Sequence, residues 1–154
     1  MLRFDEEAAR RTEAIYSTPD VVDQRRWTRE ALALRPAERI LDIGSGPGFL
    51  AAEMMSEVGP SGQISGIDVS EHMLAMARER CSKRGAAATV DFQLADATKL
   101  PFPDGSFDAV VSTQVYEYFA DVDAALGEAR RVLRAGGRLL VVRHRLGLHH
   151  LARG

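Results

Sequence analysis

Three carboxylates in this 154-residue chain stand where they could bind a ligand together: Asp42, Asp68 and Asp96. Asp42 closes a short apolar run and is followed by Gly44-Ser45-Gly46-Pro47-Gly48, with glycines at alternate positions. Bare backbone after a buried strand lets a ligand approach closely. An acid at that strand end would repel a pyrophosphate and attract an ammonium group. Asp68, twenty residues past Gly48, ends Gly66-Ile67-Asp68 and can accept both hydroxyls of a ribose. In Ala95-Asp96-Ala97 a carboxylate and a backbone N–H could read an adenine edge. Together they describe a pocket for an adenosine carrying an amino-acid tail and no phosphates.

The elements that must position these acids follow from periodicity. A helix is expected from Thr18, with Pro19 at its first position, to about Arg35, where Pro36 breaks it. Strands are expected at about 39–43, 63–67, 89–94, 107–112 and 138–142. Helices are expected at about 48–57, 70–83 (with Ser70 as N-cap) and 121–133. Strands alternating with helices predict an α/β, doubly wound, mostly parallel sheet covered on both faces. In such sheets ligands sit at the carboxyl ends of the strands, where strand order reverses. All three acids fall at such ends.

Two competing loops are set aside on spacing. A dinucleotide loop wants Gly-x-Gly-x-x-Gly, but position 49 is Phe, so the glycine expected to permit close helix packing is missing. A phosphate-cradling P-loop needs Gly-Lys-Ser/Thr, which is absent. A ligand-free turn would need only one glycine.

Composition narrows the classes further. The chain is 45% apolar and 27% charged with a net charge of −2, so no basic field argues for nucleic acid or an anionic membrane. One cysteine, Cys81, excludes an intrachain disulfide. No apolar run approaches the roughly 20 residues of a membrane helix, and the charged N-terminus lacks a signal-peptide pattern, so a cytoplasmic protein is expected.

Four segments in order carry a resemblance: Ile40–Leu50, Gly66–Arg78, Ala95–Val111 and Glu128–Val142. Together, residues 36–142 resemble a class I S-adenosylmethionine-dependent methyltransferase of the small-molecule type, like the ubiquinone/menaquinone-pathway and arsenite enzymes. The resemblance implies a Rossmann-like sheet of order 3-2-1-4-5, S-adenosyl-L-methionine as cofactor and a small-molecule methyl acceptor. It implies that Asp42, Gly44, Ser45, Gly46 and Gly48 lie at the methionine end, that Asp68 binds the ribose, and that Val69 is among the cofactor-binding residues. Met73 would cover an adenine face, Asp96 and Ala97 would hold its edge, and Gln114 would touch the methionine end. Gln24 and Arg25 could close the site. No residue declares itself a catalytic base; Tyr116-Glu117-Tyr118 is the place to look. The alternative function is a cofactor-binding remnant without turnover.

Other conspicuous residues read as structural. His72 fits an exposed helix start, and His144, His149 and His150 fit a basic tail rather than a metal site. Arg130, Arg131 and Arg134 fit a solvated face and the negative end of a helix. Residues 1–35 read as an N-terminal helical segment, and 143–154 as a basic tail unlike the family. Relatives continue with a strand 6/7 hairpin; without one, the fifth strand would be an exposed apolar edge. Reading Arg143–Arg153 one nucleotide later can restore a family-like continuation, so a frameshift truncation is expected.

Overall fold

The computed structural model describes residues 2–113, 121–142 and 149–153. Five α-helices and six strands occur among them: α1 (Leu2–Tyr16), α2 (Pro19–Leu32), β1 (Arg39–Ile43), α3 (Phe49–Val58), β2 (Gln63–Asp68), α4 (Glu71–Ser82), β3 (Thr89–Leu94), β4 (Phe107–Thr113), α5 (Val122–Val132), β5 (Leu133–Val142) and β6 (His149–Arg153). The sheet order is β3-β2-β1-β4-β5-β6, with the first five strands parallel. The chain leaves β1 outward to β2 and β3, then returns to β4 on the other side of β1. The crevice between the carboxyl ends of β1 and β4 is the switch point where ligands bind in such folds.

Alternation along the buried strands splits the core into two layers. Ile40, Ile64, Val111 and Leu140 face α2, α3 and α4, where Leu32, Met54, Met55, Leu74 and Ala77 cover them. Leu41, Ile43, Ile67, Val110 and Leu139 face the other way and are covered by Ala125, Ala129 and Val132 of α5. Period-two alternation thus puts Asp42, like Ile40, on the α2–α3 side.

Several expectations change in detail. Within the expected N-terminal helical segment, Leu2–Tyr16 form a helix of their own, α1, supported by the i,i+4 pairs Glu6–Arg10 and Glu7–Arg11. Thr18 does not cap α2 with its side chain; its hydroxyl donates to the Ile15 carbonyl at 3.3 Å. β5 begins at Leu133, opposite Phe107, and then resumes at Arg138 opposite Ala109, with Gly136 at φ 76° in the interruption. The expected bare edge of β5 is paired instead. β6 runs antiparallel to it from Val142↔His149 to Arg138↔Arg153.

Gly48 supplies the close packing that the spacing rule assigned to position 49. It sits at φ 83° at the N-terminus of α3, and a Cβ there would lie 2.7 Å from the Ala77 Cα on α4. Ser70 caps α4 as expected, accepting from the Met73 N–H at 3.3 Å. Ser70→Ala should therefore lower stability by about 1 kcal/mol, read by urea denaturation, whereas Ser70→Asp, which can cap, should retain most of it.

Candidate cofactor pocket and active site

The glycine loop is fixed by the strand beside it. The N–H groups of Gly44 and Ser45 both donate to the Ile67 carbonyl, at 2.8 and 2.9 Å. The Gly46 N–H donates to Asp68 Oδ2 at 3.0 Å, and the Ser70 N–H donates to Asp68 Oδ1 at 2.9 Å. Asp68 is thus oriented by two amides while keeping lone pairs for a ligand. Gly44 and Gly46 lie at φ 72° and 53°, where any other residue would be strained.

Above the loop opens a cavity of about 400 Å³. Asp42, Gly44, Ser45, Gly46, Asp68 and Met73 line its floor and one wall, and Gln24 and Arg25 of α2 line the opposite wall. A smaller cavity of about 80 Å³ adjoins it, lined by Ile43, Gly44, Asp68, Val69 and Ala97 among others. Val69 is 74% exposed, a large apolar side chain left open at the mouth of that slot. Gly66 keeps the floor thin, since a Cβ there would lie 2.5 Å from the Phe92 ring and 3.0 Å from the Ser45 Cβ.

Asp42 is the electrostatic centre of the large cavity. It is only 1% exposed, and its Oδ1 finds no hydrogen-bond partner among the described residues. Burial first, and the Asp68 carboxylate second, push its carboxyl up to about 8. A buried carboxyl with a bare oxygen facing a cavity is suited to a cationic partner.

The roof comes from residues that periodicity alone did not single out. The Tyr16 ring stacks on Phe49 at 5.1 Å between centroids and 5° between planes, and a Cβ on Gly46 would lie 3.2 Å from the Tyr16 hydroxyl. The guanidiniums of Arg25 and Arg80 lie 5.0 and 3.6 Å from the Phe49 ring centre. Arg25 is held by Glu53 and by the Tyr16 carbonyl, both at 2.6 Å, and Arg80 bonds the Pro47 carbonyl at 3.0 Å and pairs with Glu13. Val21, Thr28, Leu50, Ser70 and Thr113 complete the lining. The clue to this roof was the polar α1, whose charge pairs mark a helix that must pack somewhere.

The other expected residues fall into three groups. Asp96 lies exposed beside the small cavity, where its Oδ1 accepts from the Thr98 N–H at 2.8 Å and hydroxyl at 2.7 Å. Those bonds hold the Asp96 carboxyl below its usual range, so it is a standing acceptor. Gly48 lines neither cavity and faces α4 instead. Gln114 and Tyr116-Glu117-Tyr118 lie outside the described residues.

The structural relationships agree with this arrangement. A family described as "Methyltransferase domain" matches residues 41–141. The chain is 48% identical over 120 residues to demethylmenaquinone methyltransferase of Thermus thermophilus, covering 76% of this chain and 53% of that protein. It is 42% identical over 118 residues to the ubiquinone/menaquinone biosynthesis C-methyltransferase UbiE of Pseudomonas putida, covering 77% and 46%. The crystal structure of a SAM-dependent methyltransferase from Aquifex aeolicus superposes with a TM-score of 0.69 at 26% identity, covering 76% of this chain and 62% of that one. The chain thus spans about half the length of the curated relatives it matches. With its Rossmann-like sheet, its glycine loop after β1 and its acids at the strand ends, this chain belongs to the class I S-adenosylmethionine-dependent methyltransferase family.

Proposed function

We propose that this chain binds S-adenosyl-L-methionine across the two cavities and transfers its methyl group to a small-molecule acceptor. The observation that carries the reading is Asp42: a buried carboxyl with an unpartnered oxygen, facing a cavity whose floor is a thin glycine loop. When bound, the cofactor supplies an activated methyl on a sulfonium, so the protein's work is placement and exclusion of water.

Residues on both sides fit that task. Asp42 is suited to the ammonium of the methionine end, with Gly44, Ser45 and Gly46 passing beneath it. Asp68, already oriented by two amides, is suited to the ribose hydroxyls. Val69 and Met73 offer apolar surface to the purine, and Asp96 with the Ala97 N–H fits its edge. Arg25 is suited to the carboxylate of the tail and closes the cavity from α2 with Gln24. Val21, Leu50 and Thr113 leave a mostly apolar remainder for the acceptor beyond the methionine end. Relatives named for ubiquinone, menaquinone and demethylmenaquinone make aromatic ring carbons of quinone precursors the first acceptors to try. We further propose that it works in the cytoplasm without nucleic acid or membrane as partner, which the net charge of −2 supports. Among the described residues no helix is long and apolar enough to cross a membrane.

Calorimetric titration tests the cofactor. S-adenosylmethionine should bind and NAD should not, and Asp68→Ala should weaken binding by about tenfold or more through loss of two hydroxyl contacts. Asp68→Ala binding as tightly as the parent would overturn the assignment of the ribose site. Methyl transfer to a panel of oxygen, nitrogen, sulfur, carbon and arsenic acceptors then identifies the substrate. Binding without any product would favour the second reading, a chain that holds the cofactor but does not turn over.

A further inference from the structure

The loop between β3 and β4 carries Asp96 and Ala97 and has no helix of its own, yet it is held by a dense set of bonds from α5. Glu128 Oε2 accepts from the Leu100 N–H at 2.8 Å. Arg131 donates to the Leu100 carbonyl at 3.1 Å, to the Phe102 carbonyl at 2.9 Å and to Asp104 at 2.8 Å. The two side chains also grip each other, with Arg131 Nε to Glu128 Oε1 at 2.8 Å and a terminal nitrogen to Oε2 at 3.0 Å. The Arg131 carbonyl accepts from the Gly105 N–H at 2.9 Å. Bonds in such a network strengthen one another, and a bidentate guanidinium fixes direction as well as distance. Arg131 is therefore no solvated cation, unlike the exposed Arg130 one residue earlier.

We infer that Glu128 and Arg131 form a clamp that sets the purine selectivity of the cofactor pocket by positioning the Asp96–Ala97 edge. This rests on the proposed adenine site. Apolar contacts hold one side of the segment: Ala97 is 3% exposed and packs, with Leu100, among Ala125, Ala129 and Phe107. They fix its depth but not its rotation, because apolar packing has no direction. Directional bonds set that rotation. The Ala95 N–H donates to the Asp68 carbonyl at 3.1 Å, and the Lys99 N–H donates to the Asp96 carbonyl at 3.0 Å. The clamp ties donors and acceptors at Leu100 and Phe102 just beyond, so that Asp96 and the Ala97 amide meet a purine in one register. Neither clamp residue lines either cavity, so both act as positioning residues.

The test compares S-adenosylhomocysteine with S-inosylhomocysteine, which carries a carbonyl where adenine has its amino group. The parent should prefer the adenine ligand by about tenfold or more, because a carbonyl in place of the amino group removes the donor that faces the Asp96 carboxylate. Arg131→Lys, which cannot bond in a fork, and Glu128→Gln should each shrink that ratio by about fivefold. Arg130→Lys should leave it unchanged. Should Arg131→Lys not fold, Glu128→Gln and Asp104→Asn carry the same comparison. Variants that weaken both ligands equally, with the ratio kept, would overturn the positioning role and leave only a structural one. A parent that binds S-adenosylhomocysteine without discriminating would overturn the adenine-edge reading, and the clamp's selectivity with it. A discriminating parent whose variants discriminate equally well would overturn the clamp alone.

Discussion

Asp42→Asn should raise the dissociation constant for S-adenosylmethionine by about two orders of magnitude and, at pH 8, make the protein more stable. The two effects have one origin. Asp42 is buried, and its Oδ1 has no partner among the described residues, so its charge is costly in the absence of a cation. Asparagine keeps the shape and removes the charge. For a ligand ammonium the loss is that of a charge-assisted contact in a water-poor cavity, about 2–3 kcal/mol.

The pH dependence follows with a definite sign. Burial and Asp68 raise the Asp42 carboxyl from 3.8 to about 8 in the folded chain. Between those values the folded state holds a proton that the unfolded state has released, so stability falls as pH rises through that window and levels off above it. The contribution lost by pH 8 is on the order of several kcal/mol. Asp42→Asn should flatten that slope in urea melts between about pH 4 and 8. Binding of an ammonium favours the carboxylate, so cofactor uptake near pH 6.5 should release close to one proton. Titration in two buffers of different ionisation enthalpy measures it. Equal heats in the two buffers would show that Asp42 does not change protonation on binding.

Gly48→Ala should cost about 2–4 kcal/mol. Two terms add. At φ 83° an alanine is strained by about 1 kcal/mol. Its Cβ would also meet the Ala77 Cα at 2.7 Å, and that neighbour is backbone of α4, which cannot turn aside. Gly85→Ala separates the terms, since Gly85 has φ +60° with nothing within 4 Å of a Cβ. Guanidinium denaturation should give the Gly48 variant a loss at least twice that of the Gly85 variant. Equal losses would remove the helix-packing role of Gly48.

Much of this protein was legible in its residues because most signals were local and periodic. The parallel strands announce themselves as apolar runs, and the three acids stand directly after or at the end of such runs. Ser70 caps its helix as its position suggests. What was hidden depends on distant partners. Gly48 looks like part of a ligand loop until Ala77 is brought against it from the next helix. Arg131 sits in a run of arginines that reads as solvated, and only the fold brings Leu100, Phe102 and Asp104 within its reach. Tyr16 ends a polar stretch whose charge pairs, Glu6–Arg10 and Glu7–Arg11, were the available sign of a helix. β6 pairs through backbone, which a reading of side-chain patterns does not detect.

The amides of Gly44, Ser45 and Gly46 donate into β2 and its terminal carboxylate, and this bears on the timing of ligand exchange. A loop already bonded to the sheet has spent its conformational freedom during folding, so an arriving ligand has little of it left to order. Binding should accordingly leave the loop's amide hydrogen exchange nearly as slow as before. If the proposed cofactor sits in this cavity, its residence time should depend on Tyr16 of α1 and Arg25 of α2, which line it. Selectivity and dwell time should thus reside in different parts of the chain, the first at the Asp96–Ala97 edge with its clamp on α5 and the second in the two helices that precede the sheet.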